Sequence, residues 1–232
     1  CATCEESRTT KVPTDGVETA AQSIAATGKL DADGTLRGTM TLQLEGPSAA
    51  SVRSTLRSRP DETSRAKLAD AIVSSEFAGA TATAYRFEAE QSPSQPLRLV
   101  VDFELPNFAR EAGPGVSRVE TRIFAQPLAS GYAPLPQRTT PLRVGSWEKS
   151  ARLVIDIEGW KRAELASSAG DRRLDSAFGQ YHRKTALSEN QLVIESSIHV
   201  PIQRVATSDY PMFQKWALAV EQSSSLLLQL RK

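Results

Sequence analysis

Apolar and polar side chains alternate over long stretches of this chain. Behind the turn signal Asp33-Gly34, Leu36, Gly38, Met40, Leu42 and Leu44 alternate with Arg37, Thr39, Thr41, Gln43 and Glu45. Successive strand residues point to opposite faces, so this pattern predicts a long strand with one wet face. The same period recurs in Tyr85, Phe87 and Ala89 against Arg86, Glu88 and Glu90, and in Leu97, Leu99, Val101, Phe103 and Leu105 against Arg98, Asp102 and Glu104. It returns in Val119, Thr121 and Ile123, and in Leu153, Ile155 and Ile157 against Arg152, Val154 and Asp156. Further strands are predicted around 178–187 and over 192–200, joined by a hairpin at Ser188-Glu189-Asn190, and a last one carries Leu226, Leu228 and Leu230.

Helical spacing interrupts this pattern three times. Gly46-Pro47 ends the first strand, residues 48–58 are predicted helical, and Pro60 breaks that helix. A second helix opens at Asp61 or Thr63, with Leu68, Ile72 and Val73 as its apolar stripe and Gly79 as its stop. A third, capped by Ser208 or Asp209, buries Tyr210, Phe213, Ala217 and Val220. Clean alternation and short connections favour antiparallel sheets. The expected fold is mainly β, sandwich-like, with a few short helices. Three segments are expected: a flexible tail or linker over 1–20, a β-rich unit with a helix pair over 21–127, and a β-sandwich-like unit over 133–232. The Pro-rich stretch from Gln126 to Pro141 is the expected crossover.

Composition narrows the function classes. The 232 residues are 40% hydrophobic and 24% charged, enough to build a core. Basic and acidic residues number 28 and 27, giving a net charge of +1. A nucleic-acid partner is not expected, because its affinity rests on neutralising phosphates. Arg53, Arg57 and Arg59 are expected to be the solvated face of a helix. No apolar run is long enough to span a membrane, and the polar opening from Cys1 to Glu6 is no signal peptide.

Candidate chemistry is sparse. Cys1 and Cys4 are the only cysteines, and a lone C-x-x-C lacks two of the four ligands of a structural zinc site. Either Cys1 carries a lipid anchor, or the chain starts where a longer one was cut. A disulfide between the two would close too small a loop to stabilise much. No G-x-S-x-G, G-x-G-x-x-G or phosphate loop occurs. The two histidines, His182 and His199, fall on predicted strands. His199 lies opposite the Ile194 and Ile198 face, and His182 shares a face with Gln180 and Lys184, so both are expected on the surface. The pairs Asp102/Glu104 and Asp156/Glu158 have a spacing that could serve acid–base work, and also the spacing of any wet strand face. Asp31-Ala32-Asp33-Gly34 echoes a calcium loop without its remaining ligands, and a hairpin turn explains it. Tyr210, Phe213 and Trp216 are expected in the core; Trp147 and Trp160 could be core or interface anchors. No catalytic, cofactor-binding or metal residue is expected.

Two stretches carry a family resemblance. One runs from Asp33-Gly34-Thr35-Leu36-Arg37-Gly38 through Leu42 and Leu44 to Gly46, Ala49 or Ala50 and Arg53. The other runs from Asn190-Gln191-Leu192-Val193-Ile194-Glu195 through Ile198 to Ser208-Asp209-Tyr210-Pro211-Met212-Phe213, ending in Leu226 to Lys232. Together they resemble the C-terminal β-rich region of bacterial transglutaminase-like proteins, which follows a papain-like core and an N-terminal domain of unknown function. The resemblance covers about residues 20 to 232. It implies that the family's catalytic Cys, His and Asp lie upstream of residue 1, that none maps onto this chain, and that the protein is exported to the periplasm or cell surface. The expected role is then that of a non-catalytic accessory region whose partner is the upstream core or another protein, with an apolar patch where that partner docks. The alternative is a self-standing surface lipoprotein or binding protein tethered through Cys1. An enzyme of unrecognised type would need a deep pocket gathering residues such as His182, Asp156 or Glu158.

Overall fold

The computed structural model describes residues 19–124, 127–165, 170–188 and 190–232. Cys1, Cys4 and nearly all of the predicted tail lie outside them, as does Glu189 of the predicted hairpin. The fold is mainly β, as expected.

The chain opens with β1 (Ala20–Leu30) and β2 (Leu36–Leu44), antiparallel partners in register from Gln22–Leu44 to Leu30–Leu36. Their turn closes through Asp31 N–H donating to Thr35 O at 2.9 Å, with Gly34 at φ +87°. A Cβ on Gly34 would stand 2.1 Å from the Ala109 carbonyl, so both the φ and the close approach require glycine here. Two helices follow, α1 (Gly46–Ser58) and α2 (Glu62–Glu76). The first starts two residues earlier than the spacing predicts, because Pro47 fits the first turn, where its missing N–H is not needed. Asp61 caps the second by accepting from Ser64 N–H at 2.8 Å. Next come β3 (Thr81–Glu88), β4 (Leu97–Leu105), β5 (Arg110–Gly113) and β6 (Val116–Arg122). A short helix α3 (Leu128–Tyr132) lies in the Pro-rich passage.

Beyond it run β7 (Leu142–Val144), β8 (Trp147–Asp156), β9 (Arg162–Leu165), β10 (Arg172–Ser176), β11 (Gly179–Leu187), β12 (Gln191–Val200) and β13 (Gln203–Val205). The chain closes with α4 (Tyr210–Gln222) and β14 (Ser225–Arg231). Asp209 occupies the cap position of α4, but its side chain caps nothing. Its carbonyl receives Met212 and Phe213 N–H, and its carboxylate takes the Ser208 hydroxyl.

Eight strands form one sheet in the order β10-β11-β12-β8-β1-β2-β4-β3. This sheet runs through both expected β-rich units, 21–127 and 133–232, so the proline-rich crossover marks no break in it. The join is β1 against β8, from Ala20–Trp147 to Lys29–Asp156, and it is parallel. The alternation predicts only antiparallel pairing. Strands joined by a hairpin must be antiparallel, whereas two strands separated by a long excursion are free to run the same way. Four strands form a second sheet, β5-β6-β14-β9, and β7 with β13 forms a ribbon.

One face of the large sheet is apolar. Ile24, Met40, Leu99, Phe103, Leu153 and Ile194 share a core with Val119, Leu226, Leu228 and Leu230 of the second sheet. Phe77, at the end of α2, stacks on Phe103 with centroids 4.7 Å apart and meets Phe124 edge-on. A second core forms where Tyr210, Phe213, Ala217 and Val220 of α4 pack with Leu128, Tyr181, Ile198 and Val200. The apolar stripe predicted for the last helix is the buried one. In α2 the stripe is rotated: Ala69, Val73 and Glu76 are buried, while Leu68 and Ile72 are only half-buried.

Candidate functional site

The opposite face of the eight-stranded sheet carries the polar residues and a shallow groove of about 360 Å³. Pairing puts Gln180, His199, Glu148 and Ala21 in one row across β11, β12, β8 and β1. His182, Ser197, Ser150 and Ser23 form the next row. His199 Nδ1 stands 3.9 Å from Glu148 Oε2, and His182 Nε2 3.1 Å from Asp175 Oδ1. Asp175 also receives Arg173 Nε at 2.6 Å. The Arg173 guanidinium first, and His182 second, hold the Asp175 carboxyl below the usual carboxylate range. Both histidines therefore lie on the surface, as their strand parity predicts, and the fold brings them to one groove, which their sequence separation does not show.

The other candidate carboxylates are occupied elsewhere. Asp102 takes the Thr39 hydroxyl at 2.6 Å, and Glu104 takes Arg37 at 2.9 Å. Asp156 receives Gln191 Nε2 at 2.9 Å at the far end of β8 from Glu148. Glu158 does not share its strand face: β8 has ended, and Glu158 stands in the turn before Gly159, 3.6 Å from Lys29. The groove thus contains His182 but neither Asp156 nor Glu158. Asp33 accepts Thr35 N–H at 2.9 Å, which lowers its carboxyl pKa, so the calcium-loop echo is a turn. Among the described residues no three His, Cys, Asp or Glu side chains stand close enough to hold a metal ion.

The aromatic candidates divide. Trp216 is buried and donates Nε1–H to Leu174 O at 3.2 Å. Trp160 is buried under the Lys232 ammonium, 5.3 Å from its ring centroid. Trp147 is half-buried and lines a cleft of about 510 Å³ with Leu128, Tyr132, Glu76 and Lys149.

Four charged residues, Arg53, Lys149, Glu76 and Arg183, are buried and carry structural work that their charge does not predict. Arg53 is 7% exposed, not part of a solvated helix face. Its Nη2 donates to the carbonyls of Ala89, Ser92 and Gln95 and ties the β3–β4 loop to α1, while Arg57 and Arg59 stay exposed. Lys149 on β8 and Glu76 at the end of α2 form a buried ion pair. Arg183 is 4% exposed and donates to Ser223 O at 2.6 Å and Ser225 O at 3.1 Å, where α4 ends and β14 begins. Burial lowers its proton affinity, and a cation is favoured at a helix C-terminus. A signal existed for two of them. Lys149 shares strand parity with Ala151, Leu153 and Ile155, and Arg183 shares it with Tyr181, so each occupies an inward position.

Five large apolar side chains are exposed among the described residues: Leu135, Ile202, Met212, Leu218 and Leu227. Met212 and Leu218 project from α4, and the Leu135 carbonyl is bonded to α4 through Tyr210 Oη and Gln214 Nε2. No known family model matches the chain, and no curated protein matches it.

Proposed function

We propose that this chain is the non-catalytic, β-rich accessory region of an exported transglutaminase-like protein, docking on the catalytic core or on a protein partner. The observation that carries the reading is the order of its ending. A strand over Gln191–Val200, a three-residue strand over Gln203–Val205, the Ser208-Asp209-Tyr210 sequence, a short helix anchored by Tyr210 and Phe213, and a last strand over Ser225–Arg231 follow one another, and the resemblance rests on an ending of this kind. A second support is the exposure of Leu218, which lies on the side of α4 that carries Gln214, near the exposed Leu135 bonded to Tyr210 and Gln214. In this role His182 serves a surface hydrogen bond to Asp175, and the chain contributes shape and contacts rather than bond making.

The reading frame upstream of residue 1 tests this. A long segment with Cys, then His, then Asp in papain-like order supports the accessory role. A short signal peptide ending in a lipobox at Cys1 overturns it and makes Cys1 the anchor of an independent surface protein.

A further inference from the structure

The two sheets treat their exposed charges in opposite ways. On the open face of the eight-stranded sheet, unlike charges stand opposite each other. Arg37 faces Glu104, Arg98 faces Glu88 and Arg152 faces Glu195, each with an ion pair of 3.1 Å or less. The like pair there, Lys29 opposite Arg37, is relieved by Glu158 on one side and by Asp31 and Glu104 on the other.

The outer face of the four-stranded sheet does the reverse. Arg110 stands directly opposite Arg118, and Arg231 directly opposite Arg162. Because Gln229 pairs with Arg118 and Arg231 with Val116, Arg118 and Arg231 are diagonal neighbours, and the four arginines form one connected run across all four strands. All four are exposed. Arg162 is held by Glu164 at 2.5 Å, but Arg110, Arg118 and Arg231 have no ion pair among the described residues. Directly opposed side chains lie about 5 Å apart at Cβ, and like charges there cost stability. Arginines also stand opposite each other at Arg143 and Arg204 on the two-stranded ribbon and at Arg172 and Arg183 on the covered face of the large sheet, and neither pair extends into a run.

We propose that this arginine face is a docking surface for an acidic polypeptide segment. From the proposed function it takes only that the chain docks on protein. Guanidinium forks on fixed strand positions match carboxylates bidentately. Glu120 lies beside the arginines without an ion pair among the described residues and would meet a cation of the partner, which fixes register and orientation. An anionic bilayer is the weaker match. Such a surface is bound through diffuse basic charge with several apolar or aromatic side chains entering the interface, and here Leu227 is the single large apolar side chain exposed on this face.

The test uses a fluorescein-labelled oligoglutamate as probe, read by anisotropy at low and raised salt. The double variant Arg118→Thr/Arg231→Thr is compared with Arg86→Thr/Arg152→Thr, which removes the same charge from the other sheet. The expected result is salt-sensitive binding by the wild type, weakened at least about tenfold in the first variant and unchanged in the second. Threonine suits exposed strand positions, so the first variant is also expected to melt no lower than the wild type. No binding by the wild type, or equal loss in both variants, overturns the proposal. So does uptake by phosphatidylglycerol-containing vesicles without binding of the oligoglutamate. None of these outcomes depends on what lies upstream of residue 1.

Discussion

The ammonium of Lys149 lies 2.8 Å from both carboxylate oxygens of Glu76, with the two side chains 8% and 10% exposed. The pair ties the end of α2 to β8, and so links the two halves of the chain on the covered side of the sheet. Taking two charges out of water is costly, and their attraction in a poorly screened interior offsets that cost only while both are present. Lys149→Met alone is expected to destabilise by about 3–5 kcal/mol, and Glu76→Leu alone by a similar amount, since each strands a buried charge. The double variant Glu76→Leu/Lys149→Met is expected within about 1 kcal/mol of the wild type. Urea unfolding followed by tryptophan fluorescence measures all three, and simple additivity of the two single losses would show the groups to be uncoupled.

Arg183 is expected to behave differently, because its partners are carbonyls. Arg183→Ala removes the charged donor to Ser223 O and Ser225 O, leaving Ser223 O only the longer bond from the Tyr181 hydroxyl at 3.5 Å, and opens space beneath the α4–β14 junction. Hydrogen bonds to a charged donor contribute about 1.5–3 kcal/mol each, so a loss of about 3 kcal/mol is expected. Hydrogen exchange should localise it to the end of α4 and the start of β14. A loss spread evenly over the chain would contradict this assignment.

Gly38 lies on β2 opposite Gly28, and a Cβ there would meet the Thr27 carbonyl at 2.2 Å and Gly28 Cα at 2.8 Å. Both atoms belong to the backbone of the neighbouring central strand and cannot swing aside. Gly38→Ala is expected to cost about 2 kcal/mol or more through forced separation of β1 and β2. The comparison is Gly131→Ala, whose Cβ would meet nothing within 4 Å. Equal melting temperatures for the two variants would refute the close approach.

Acid is expected to destabilise the fold through a defined set of carboxylates. Asp33 and Asp61 accept backbone N–H bonds from Thr35 and Ser64, Glu88 is held by Arg86 and Arg98, and Asp175 by Arg173 and His182. Each is lowered from an ordinary value of 3.8 for Asp or 4.5 for Glu. A depressed folded-state pKa contributes stability that is present above the unfolded value and is lost as the pH falls through the folded one. The urea midpoint should therefore hold near about pH 6 and drop toward about pH 3. Asp33→Asn/Asp61→Asn should flatten that slope; a slope identical to the wild type would exclude these two residues.

The sequence by itself determined the strands that alternate cleanly. Leu97, Leu99, Val101, Phe103 and Leu105 are all buried, as are Leu226, Leu228 and Leu230, because strand parity alone decides which face turns inward. It determined the buried stripe of α4 in the same way, since Tyr210, Phe213, Ala217 and Val220 repeat at helical spacing. The exposure of both histidines also followed from parity. It gave little hint of β1, where small residues such as Ala25, Ala26 and Gly28 weaken the hydrophobic signal. The short strands β5, β7, β9, β10 and β13 likewise hold too few residues to show a period.

Tertiary structure decided everything that depends on which strands become neighbours. The parallel join of β1 to β8 makes one sheet of two apparent units, and no local pattern encodes it, because pairing between distant strands is selected by the packing of the whole core. The same holds for Arg53, Lys149 and Arg183. Their charge predicts solvent, and only partners brought from 73 residues away in one case, and from about 40 in the others, make burial tolerable. The run of arginines on the small sheet is likewise invisible in a balanced composition, since Arg110, Arg118, Arg162 and Arg231 become one surface only when four strands from across the chain are laid side by side.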